Sequence, residues 1–185
     1  TISPLCSRFG FFHEKIILDD LAFKILHPDE YAEFFKTFSD YRKKSAKMLN
    51  KISLILKKLL QEKGCNAEIN GRYKSIYSIA RKFKKRFYKS PLHLNDIFAF
   101  RIILKTEKTE ECFRILNILH DNFYPIPDFF KDYITIPKIN GYQSLHTGLT
   151  KIIPDLDLPV EIQIRTQNMH HFAENGIAAH WLYTK

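Results

Sequence analysis

The chain has 185 residues, of which 45% are hydrophobic and 14% aromatic, and this composition excludes a disordered polyelectrolyte and a fibrous protein. The most apolar stretch, residues 49–60, is interrupted by Lys51, Lys57 and Lys58, so we expect a soluble protein without a membrane span. Three cysteines without a CxxC pair or a preceding signal peptide argue against a disulfide framework and indicate a reducing, cytoplasmic location. Because the chain starts at Thr1 rather than Met, we expect a fragment of a longer protein.

The positive charge lies in one segment of the chain. The net charge is +9, yet residues 42–89 hold 16 basic and 2 acidic side chains, whereas residues 1–41 and 90–185 are slightly acidic. Such a block indicates a polyanionic partner. RNA, a membrane surface and the phosphate chain of a nucleotide all fit this charge, and so does the solvated face of a helix.

Apolar spacing predicts that the first third of the chain is helical. One predicted helix covers residues 18–26 and ends before Pro28, and a second starts near Asp29. A third, over residues 41–63, carries an apolar stripe on an otherwise lysine-covered surface and ends at Gly64.

After Gly64 short strands alternate with helices, which predicts an α/β (α+β) domain with a mixed sheet of about five strands flanked by helices. Alternating or continuous apolar runs predict strands at residues 66–70, 97–104, 133–136, 145–150 and 160–165. Helical spacing predicts helices at residues 75–87, 110–122 and 167–182.

The predicted strand at residues 160–165 alternates apolar residues with Glu161, Gln163 and Arg165. These three side chains therefore share one face, at a spacing of about 6.6 Å. The wet outer face of an antiparallel strand would show the same alternation. An acid, an amide and a base in one row could instead bind a metal, a base edge and a phosphate together.

Arg101 interrupts the nearly all-apolar strand at residues 97–104. A guanidinium in a buried strand must be paired, stacked or exposed in a cleft, because an unpaired buried charge is strongly unfavourable. A structural salt bridge and a ligand contact both meet this need. Asp96 is the nearest acidic companion, but a regular strand would put it on the opposite face, so it must lie at the strand end or beside a bulge to share a site.

Asn140 and Gly141 predict a tight turn. A plain hairpin explains this turn but not the aromatic and polar residues that crowd around it, which are Lys138, Tyr142, Gln143 and His146. An aromatic ring, a cation and amides on one turn are typical of a purine nucleotide pocket.

A second basic region starts at Arg72 and Lys74 and continues into the predicted helix at residues 75–87. Basic groups at a helix N-terminus suit phosphate oxygens, and an RNA-binding helix would look similar. The chain has no GxxxxGK[ST] or GxGxxG motif, so a triphosphate would be held by side chains. The histidines of the last helix lack HExxH or HxxEH spacing, and neither serine nor cysteine lies in a nucleophile motif.

Five segments resemble, in order, the synthetase domain of the RelA/SpoT family of stringent-response alarmone enzymes: GRYKSIYSI, LNDIFAFRII, FKDYITIPKINGYQSLHTGL, PVEIQIRT and MHHFAENGIAAHW. Residues 4–31 resemble the linker helices that join this domain to the family's N-terminal hydrolase domain. The resemblance implies a nucleotidyltransferase-like synthetase domain over residues 41–185, preceded by a helical linker over residues 1–40. The hydrolase domain, with its HD motif and manganese site, is not represented among these segments.

Members of this family transfer the β,γ-pyrophosphate of ATP to the 3′-hydroxyl of GDP or GTP, which gives AMP and guanosine tetra- or pentaphosphate. The resemblance implies Mg²⁺ as the cofactor, bound by Asp96 and Glu161, with Glu161 also drawing the proton from the attacking hydroxyl. It implies that Arg72 and Arg101 sandwich the adenine ring. The residues implied to hold the ATP phosphates are Lys74, Ser78, Lys82 and Lys85. Those implied to bind GDP or GTP, with Tyr142 stacked on the guanine, are Lys131, Lys138, Asn140, Tyr142, His146, Gln163 and His170.

One departure from the family pattern precedes the predicted strand at residues 133–136. Bifunctional members usually read RFKD here and RelA-type members EFDD, whereas this chain reads Phe129, Phe130, Lys131 and Asp132. Lys131 and Asp132 favour the bifunctional type. Phe129 removes a cation, so the preference between GDP and GTP stays open.

The resemblance also implies partner domains in the same chain, an N-terminal hydrolase domain and a C-terminal regulatory domain. Contact with RNA or a ribosome stays open, and no membrane partner is expected. The alternative function is a catalytically silent, basic RNA-binding or regulatory module with the same fold. Mg²⁺-dependent AMP formation that requires a guanine nucleotide would separate the two functions, since a binding module would show only salt-sensitive RNA affinity.

Overall fold

Two long helices open the structure. The computed structural model describes residues 3, 5–6, 12–73, 75–86, 98–139, 141–154 and 159–175. Helix α1 spans Phe12–Leu26 and helix α2 spans Pro28–Glu62, with Pro28 at a helix start that suits its missing N–H. The helices predicted from residue 29 and over residues 41–63 form one 35-residue helix, because neither glycine nor proline interrupts this stretch. The predicted boundary between residues 40 and 41 lies inside α2.

Helix α2 ends at Glu62, and Gly64 terminates it, as predicted. Gly64 has a φ of +69°, and its N–H donates to the carbonyl of Gln61 at 3.0 Å, while the N–H of Cys65 donates to Leu60 at 2.8 Å. This pair of hydrogen bonds is the Schellman motif, which favours glycine at the left-handed position. Among the described residues no helix, α2 included, has both the length and the apolar character needed to cross a membrane.

The rest of the described chain forms a mixed sheet with three further helices. The strands are β1 (Ala67–Tyr73), β2 (Phe98–Leu104), β3 (Tyr124–Pro125), β4 (Lys131–Asp132), β5 (Leu145–Thr150) and β6 (Val160–Thr166). The helices are α3 (Ile76–Arg86), α4 (Glu110–Asn122) and α5 (Gln167–Asn175). The strand order is β1-β2-β6-β5-β3, and β4 also pairs with β5. Strands β2 and β6 are parallel and the other described pairs are antiparallel, which confirms the predicted mixed sheet.

One face of the sheet is apolar and forms the core. Phe98, Phe100 and Ile102 of β2 are almost fully buried on this face, together with Ile162 and Ile164 of β6. They join one hydrophobic cluster with the apolar stripes of α2 and α4, whose buried members include Ile52, Leu56, Leu60, Ile115 and Leu119. The core therefore lies between the sheet and the helices and leaves the second sheet face for polar residues.

Gly71 of β1 is exposed, but its backbone lies close to the ring of the core residue Phe100. It lies opposite Phe100 in the β1/β2 register, and a Cβ at this position would come within 2.7 Å of Phe100 Cε1. A larger side chain does not fit without a shift of the Phe100 ring. The glycine that precedes Arg72 in the sequence is therefore a packing requirement of the fold.

Apart from the two helices that are joined in α2, the structure confirms most predicted elements and contradicts one strand. The predicted bounds of α4 and β5 agree with the structure, and the last helix is described only as far as Asn175. The predicted strand at residues 133–136 is wrong. Asp132 Oδ1 accepts hydrogen bonds from the N–H groups of Ile134 and Thr135 at 2.9 Å each, which turns the chain immediately after the two-residue strand β4.

The three cysteines, Cys6, Cys65 and Cys112, are buried and form no disulfide. Burial raises the pKa of the Cys112 thiol to about 12, and the negative charges of Glu111 and Glu110 act in the same direction. This thiol is therefore protonated and unreactive near neutral pH.

Candidate functional site

Polar residues of four strands form a row on the second face of the sheet. Arg101 on β2 lies opposite Gln163 on β6. Gln163 in turn lies opposite His146 on β5, and His146 lies opposite Lys131 on β4. Since opposite residues in a sheet share a face, the register brings together four predicted site residues that are up to 62 positions apart in the chain.

Glu161 occupies the next row of the same face. Its neighbours across β2 and β5 are Ala99 and Gly148, two of the smallest residues. A Cβ at Gly148 would come within 2.7 Å of Phe129 Cγ, so the Phe129 ring covers this glycine and stands beside the Glu161 row. Phe129, which the resemblance aligns with a basic residue, thus contributes an apolar side chain next to Glu161.

The Glu161 carboxylate belongs to a hydrogen-bonded network. Glu161 Oε1 accepts a hydrogen bond from Gln163 Nε2 at 3.1 Å and lies 3.4 Å from His146 Nδ1. The other ring nitrogen of His146 lies 2.8 Å from the Tyr142 hydroxyl. A neutral His146 with its proton on Nδ1 would donate toward Glu161 and accept from Tyr142. The Glu161 side chain is 13% exposed, so these partners set its orientation while it stays accessible.

An aromatic and cationic cluster adjoins this network. Lys138 Nζ lies 4.5 Å from the ring centroid of Tyr133 and 5.0 Å from that of Tyr142, within range of a cation–π contact. Burial lowers the pKa of Lys138, the nearby Lys131 lowers it further, and Glu161 opposes the shift. The predicted turn is present, since the N–H of Gly141 donates to the carbonyl of Lys138 at 2.7 Å and Gly141 has a φ of +76°.

The Tyr142 ring is not open to solvent in this conformation. Its exposure is 4%, and it packs with Tyr133 and Ala173. Burial raises the pKa of its hydroxyl, against the opposing charge of Arg165. A guanine could stack on the face now covered by the Lys138 ammonium only after that side chain moves.

A second polar cluster surrounds Arg101. Arg101 Nη1 pairs with Glu174 Oε1 of α5 at 2.9 Å, and Arg165 Nη2 of β6 pairs with the same oxygen at 3.2 Å. His170 Nδ1 lies 3.9 Å from this oxygen. Burial lowers the pKa of His170, and the positive charges of Arg165 and Arg101 add to this, whereas Glu174 opposes it. Glu174 is thus one partner of Arg101, and the sequence reasoning did not foresee it.

The backbone donors at the N-terminus of α3 are already used. Asp20 of α1 accepts hydrogen bonds from the N–H groups of Tyr77 at 2.7 Å and Ile76 at 3.3 Å. Ser75 Oγ accepts from the N–H of Ser78 at 3.2 Å. A phosphate at this helix would therefore rely on side chains such as Ser78 and Lys82, because the amides face protein oxygens.

The remaining predicted site residues are described in part. Lys74, Asp96 and Asn140 lie outside the described residues. Arg72 and Lys85 are described in their backbone only; Arg72 lies opposite Ala99 and so in the Glu161 row. Sequence reasoning assigned no role to Tyr133 or Glu174. Glu174 follows His170 by one helical turn, so its signal was present in the pattern. Arg165, which the alternation with Glu161 and Gln163 placed on the polar face, binds Glu174.

Comparison with known proteins identifies the family. A family described as "Region found in RelA / SpoT proteins" matches residues 71–185. The bifunctional (p)ppGpp synthase/hydrolase SpoT of Escherichia coli (strain K12) is 41% identical over 184 residues, 98% of this chain and 25% of that protein. The GTP pyrophosphokinase of Myxococcus xanthus is 40% identical over 181 residues, 98% of this chain and 23% of that protein. The structure of a GTP pyrophosphokinase family protein from Streptococcus pneumoniae matches with a TM-score of 0.57 and 26% identity, over 76% of this chain and 73% of that chain.

The chain spans about a quarter of the length of these two curated relatives. The matched family region covers more than half of the chain and contains Arg101, Glu161 and Glu174. The mixed sheet flanked by helices, predicted from the sequence, is also the fold of the Streptococcus pneumoniae protein. The chain belongs to the RelA/SpoT family.

Proposed function

We propose that the chain is an alarmone synthetase, which transfers the pyrophosphate of ATP to the 3′-hydroxyl of GDP or GTP and releases AMP. The observation that carries this proposal is the Glu161 carboxylate, which lies on a polar sheet face and is oriented by Gln163 and His146. Relatives named (p)ppGpp synthase and GTP pyrophosphokinase support the same reaction class. Other relatives are named as pyrophosphohydrolases, so the choice of synthesis over hydrolysis is part of the proposal.

Pyrophosphoryl transfer depends mainly on alignment and neutralisation of charge. The 3′-oxygen of the acceptor bonds to the β-phosphorus of ATP, the bond from that phosphorus to the bridging α,β-oxygen breaks, and AMP leaves with this oxygen. The proton of the hydroxyl must be accepted as the oxygen attacks. In the proposal Glu161 orients the hydroxyl and takes this proton on a carboxylate oxygen, while Gln163 and His146 keep the carboxylate aligned.

The cations of the sheet face would bind the donor nucleotide. Arg101 would stack on the adenine ring with Arg72 on its other side, since a guanidinium plane suits an aromatic face. Ser78 and Lys82 would hold phosphate oxygens through their side chains, because Asp20 and Ser75 occupy the amides of α3. The proposal adds Lys74 and Lys85 to this group.

The acceptor nucleotide would lie against the aromatic and cationic cluster. Tyr142 would stack on the guanine once Lys138 moves from its ring toward the nucleotide phosphates. The remaining residues proposed for this side are Lys131, Asn140, His146, Gln163 and His170.

We propose Mg²⁺ as the cofactor, because the chemistry of the proposed ligands suits this ion. Mg²⁺ prefers oxygen ligands and is usually held by one or two carboxylates together with substrate phosphates. Glu161 offers a carboxylate that is 13% exposed on the polar face, and Asp96 would be the second ligand. When bound, the ion would neutralise phosphate charge as the bond to the leaving AMP breaks.

Because the chain spans about a quarter of the length of its curated relatives, we also propose that hydrolase and regulatory regions act with it in one protein.

The experiment that tests the proposal measures AMP by chromatography after incubation of the chain with ATP and Mg²⁺, with and without GDP or GTP. We expect AMP to form only when a guanine nucleotide is present, in equal amount to a guanosine 3′-pyrophosphate. Failure to form AMP, combined with RNA binding that weakens as salt rises, would contradict the proposal and favour the RNA-binding module.

A further inference from the structure

Glu174 joins two sides of the candidate site. It lies on α5, whereas the two guanidinium groups that share its Oε1 belong to the sheet, Arg101 on β2 and Arg165 on β6. Arg165 lies opposite Ile103, two residues beyond Arg101, so the two arginines are diagonal neighbours on one face. Without an anion between them, the two neighbouring guanidinium charges would repel each other.

The two arginines differ in burial, and this difference indicates which one is fixed. Arg165 is 1% exposed, and within the described part of the chain its Nε has no hydrogen-bond partner. Its buried charge therefore depends on Glu174 for compensation. The Arg101 side chain is 22% exposed and reaches the same carboxylate from the open side. Arg165 thus anchors Glu174, and Glu174 in turn holds Arg101.

The contact with Glu174 is made at an edge of the Arg101 guanidinium and not on its planar faces. Hydrogen bonds from a guanidinium lie in its plane, so a carboxylate at Nη1 occupies one edge of the group. A purine stacks on the face of the same plane. An edge contact and a face contact are therefore compatible, and the edge contact sets the orientation of the plane.

We propose that Glu174 is a positioning residue, which fixes the plane of the Arg101 guanidinium for stacking on the purine of the donor nucleotide. This inference rests on the proposed function, because it takes ATP as the donor. It predicts an effect on the purine contact and little effect on contacts to phosphates.

The test is calorimetric titration of the chain with the α,β-methylene analogue of ATP, with inorganic tripolyphosphate, which lacks the purine, and with GDP. We expect Glu174→Gln to weaken binding of the ATP analogue about tenfold or more. Binding of tripolyphosphate and GDP should change less than about threefold, since the His170 contact to Glu174 is long at 3.9 Å. The matched control is Glu111→Gln, which removes the same charge from an exposed pair with Arg114 at 3.0 Å on α4 and should change none of the three affinities.

Glu174→Gln removes the counter-ion of Arg165, and part of the variant protein could unfold. The titration therefore reports two quantities separately: the stoichiometry of binding, which falls with the folded fraction, and the affinity of the folded protein. The double variant Glu174→Gln with Arg165→Met removes the buried charge as well, and its affinity for the ATP analogue should be as weak as that of Glu174→Gln alone. Unchanged affinity in both variants would overturn the inference, and so would an equal loss for the analogue and tripolyphosphate. Neither result would contradict the proposed function. Wild-type chain that binds neither the ATP analogue nor GDP would overturn both.

Discussion

The contact between Asp20 and α3 gives a prediction that depends only on the fold. Asp20 lies on α1, and its carboxylate accepts hydrogen bonds from two backbone amides at the start of α3, 56 and 57 residues later in the chain. We expect Asp20→Ala to destabilise the chain, because it leaves these two donors without a protein partner and removes a negative charge from a helix N-terminus.

The size of this effect follows from the geometry. Loss of a side-chain cap typically costs about 1 kcal/mol, with a range of roughly 0.5–2 kcal/mol. The bond to the Tyr77 N–H is short at 2.7 Å and the bond to Ile76 is longer at 3.3 Å, so one strong and one weaker contact are lost. Both are only partly buried, which lets water replace the carboxylate in part. We therefore expect a decrease of about 1–2 kcal/mol in the free energy of unfolding.

Urea unfolding followed by far-ultraviolet circular dichroism measures this change. Asp20→Asn keeps one acceptor oxygen and should fall between wild type and Asp20→Ala. The matched control is Asp121→Ala, which removes an exposed carboxylate near the C-terminal end of α4, where the helix dipole does not favour it. A loss in Asp20→Ala no larger than in this control would refute the capping role.

Two further predictions concern the core. Gly71→Ala should lower the free energy of unfolding by about 1–3 kcal/mol, because the new Cβ would lie 2.7 Å from Phe100 Cε1. A double-mutant cycle with Phe100→Leu should show that the two substitutions are coupled, and additive free-energy changes would contradict the contact. The second prediction concerns Cys112, whose thiol has a pKa of about 12 in the folded chain against a usual value of 9.0. Between these two pH values the folded chain keeps a proton that the unfolded chain releases. The contribution of Cys112 to stability is therefore present below pH 9 and is lost as the pH rises toward 12. Stability should therefore fall more steeply over this range in wild type than in Cys112→Ala, and parallel curves would contradict the burial of a neutral thiol.

The spacing of apolar residues in the sequence was enough to predict individual helices and strands. The alternation around Glu161 and the apolar spacing of α4 appear within one element, and both predictions agree with the structure. The strand predicted at residues 133–136 failed because the Asp132 side chain competes for the backbone N–H groups, an effect that hydrophobic spacing does not show. The division of α2 into two helices failed for lack of a breaking residue.

The contacts that organise the candidate site could not be predicted in the same way. Glu174 meets Arg101 across 73 positions of the chain, and Asp20 meets α3 across more than 50. Sequence identifies an arginine in an apolar strand as a residue that needs a partner, but it does not say which acid reaches it. Register supplies that information, since the parallel pairing of β2 with β6 brings Arg101 and Arg165 to the same side of the sheet as α5.

The measurement that tests the central claim most directly is the rate of AMP formation from ATP by Glu161→Gln, at saturating ATP and GDP with Mg²⁺. We expect the variant to be slower than wild type by about a hundredfold or more, because the amide keeps the size of the side chain but cannot accept the proton of the attacking hydroxyl. The control is Glu111→Gln, which removes an exposed carboxylate that pairs with Arg114 on α4 and has no place in the proposed site. It should retain the wild-type rate. A Glu161→Gln variant that forms AMP at a rate near that of wild type would contradict the assignment of the reaction to this carboxylate.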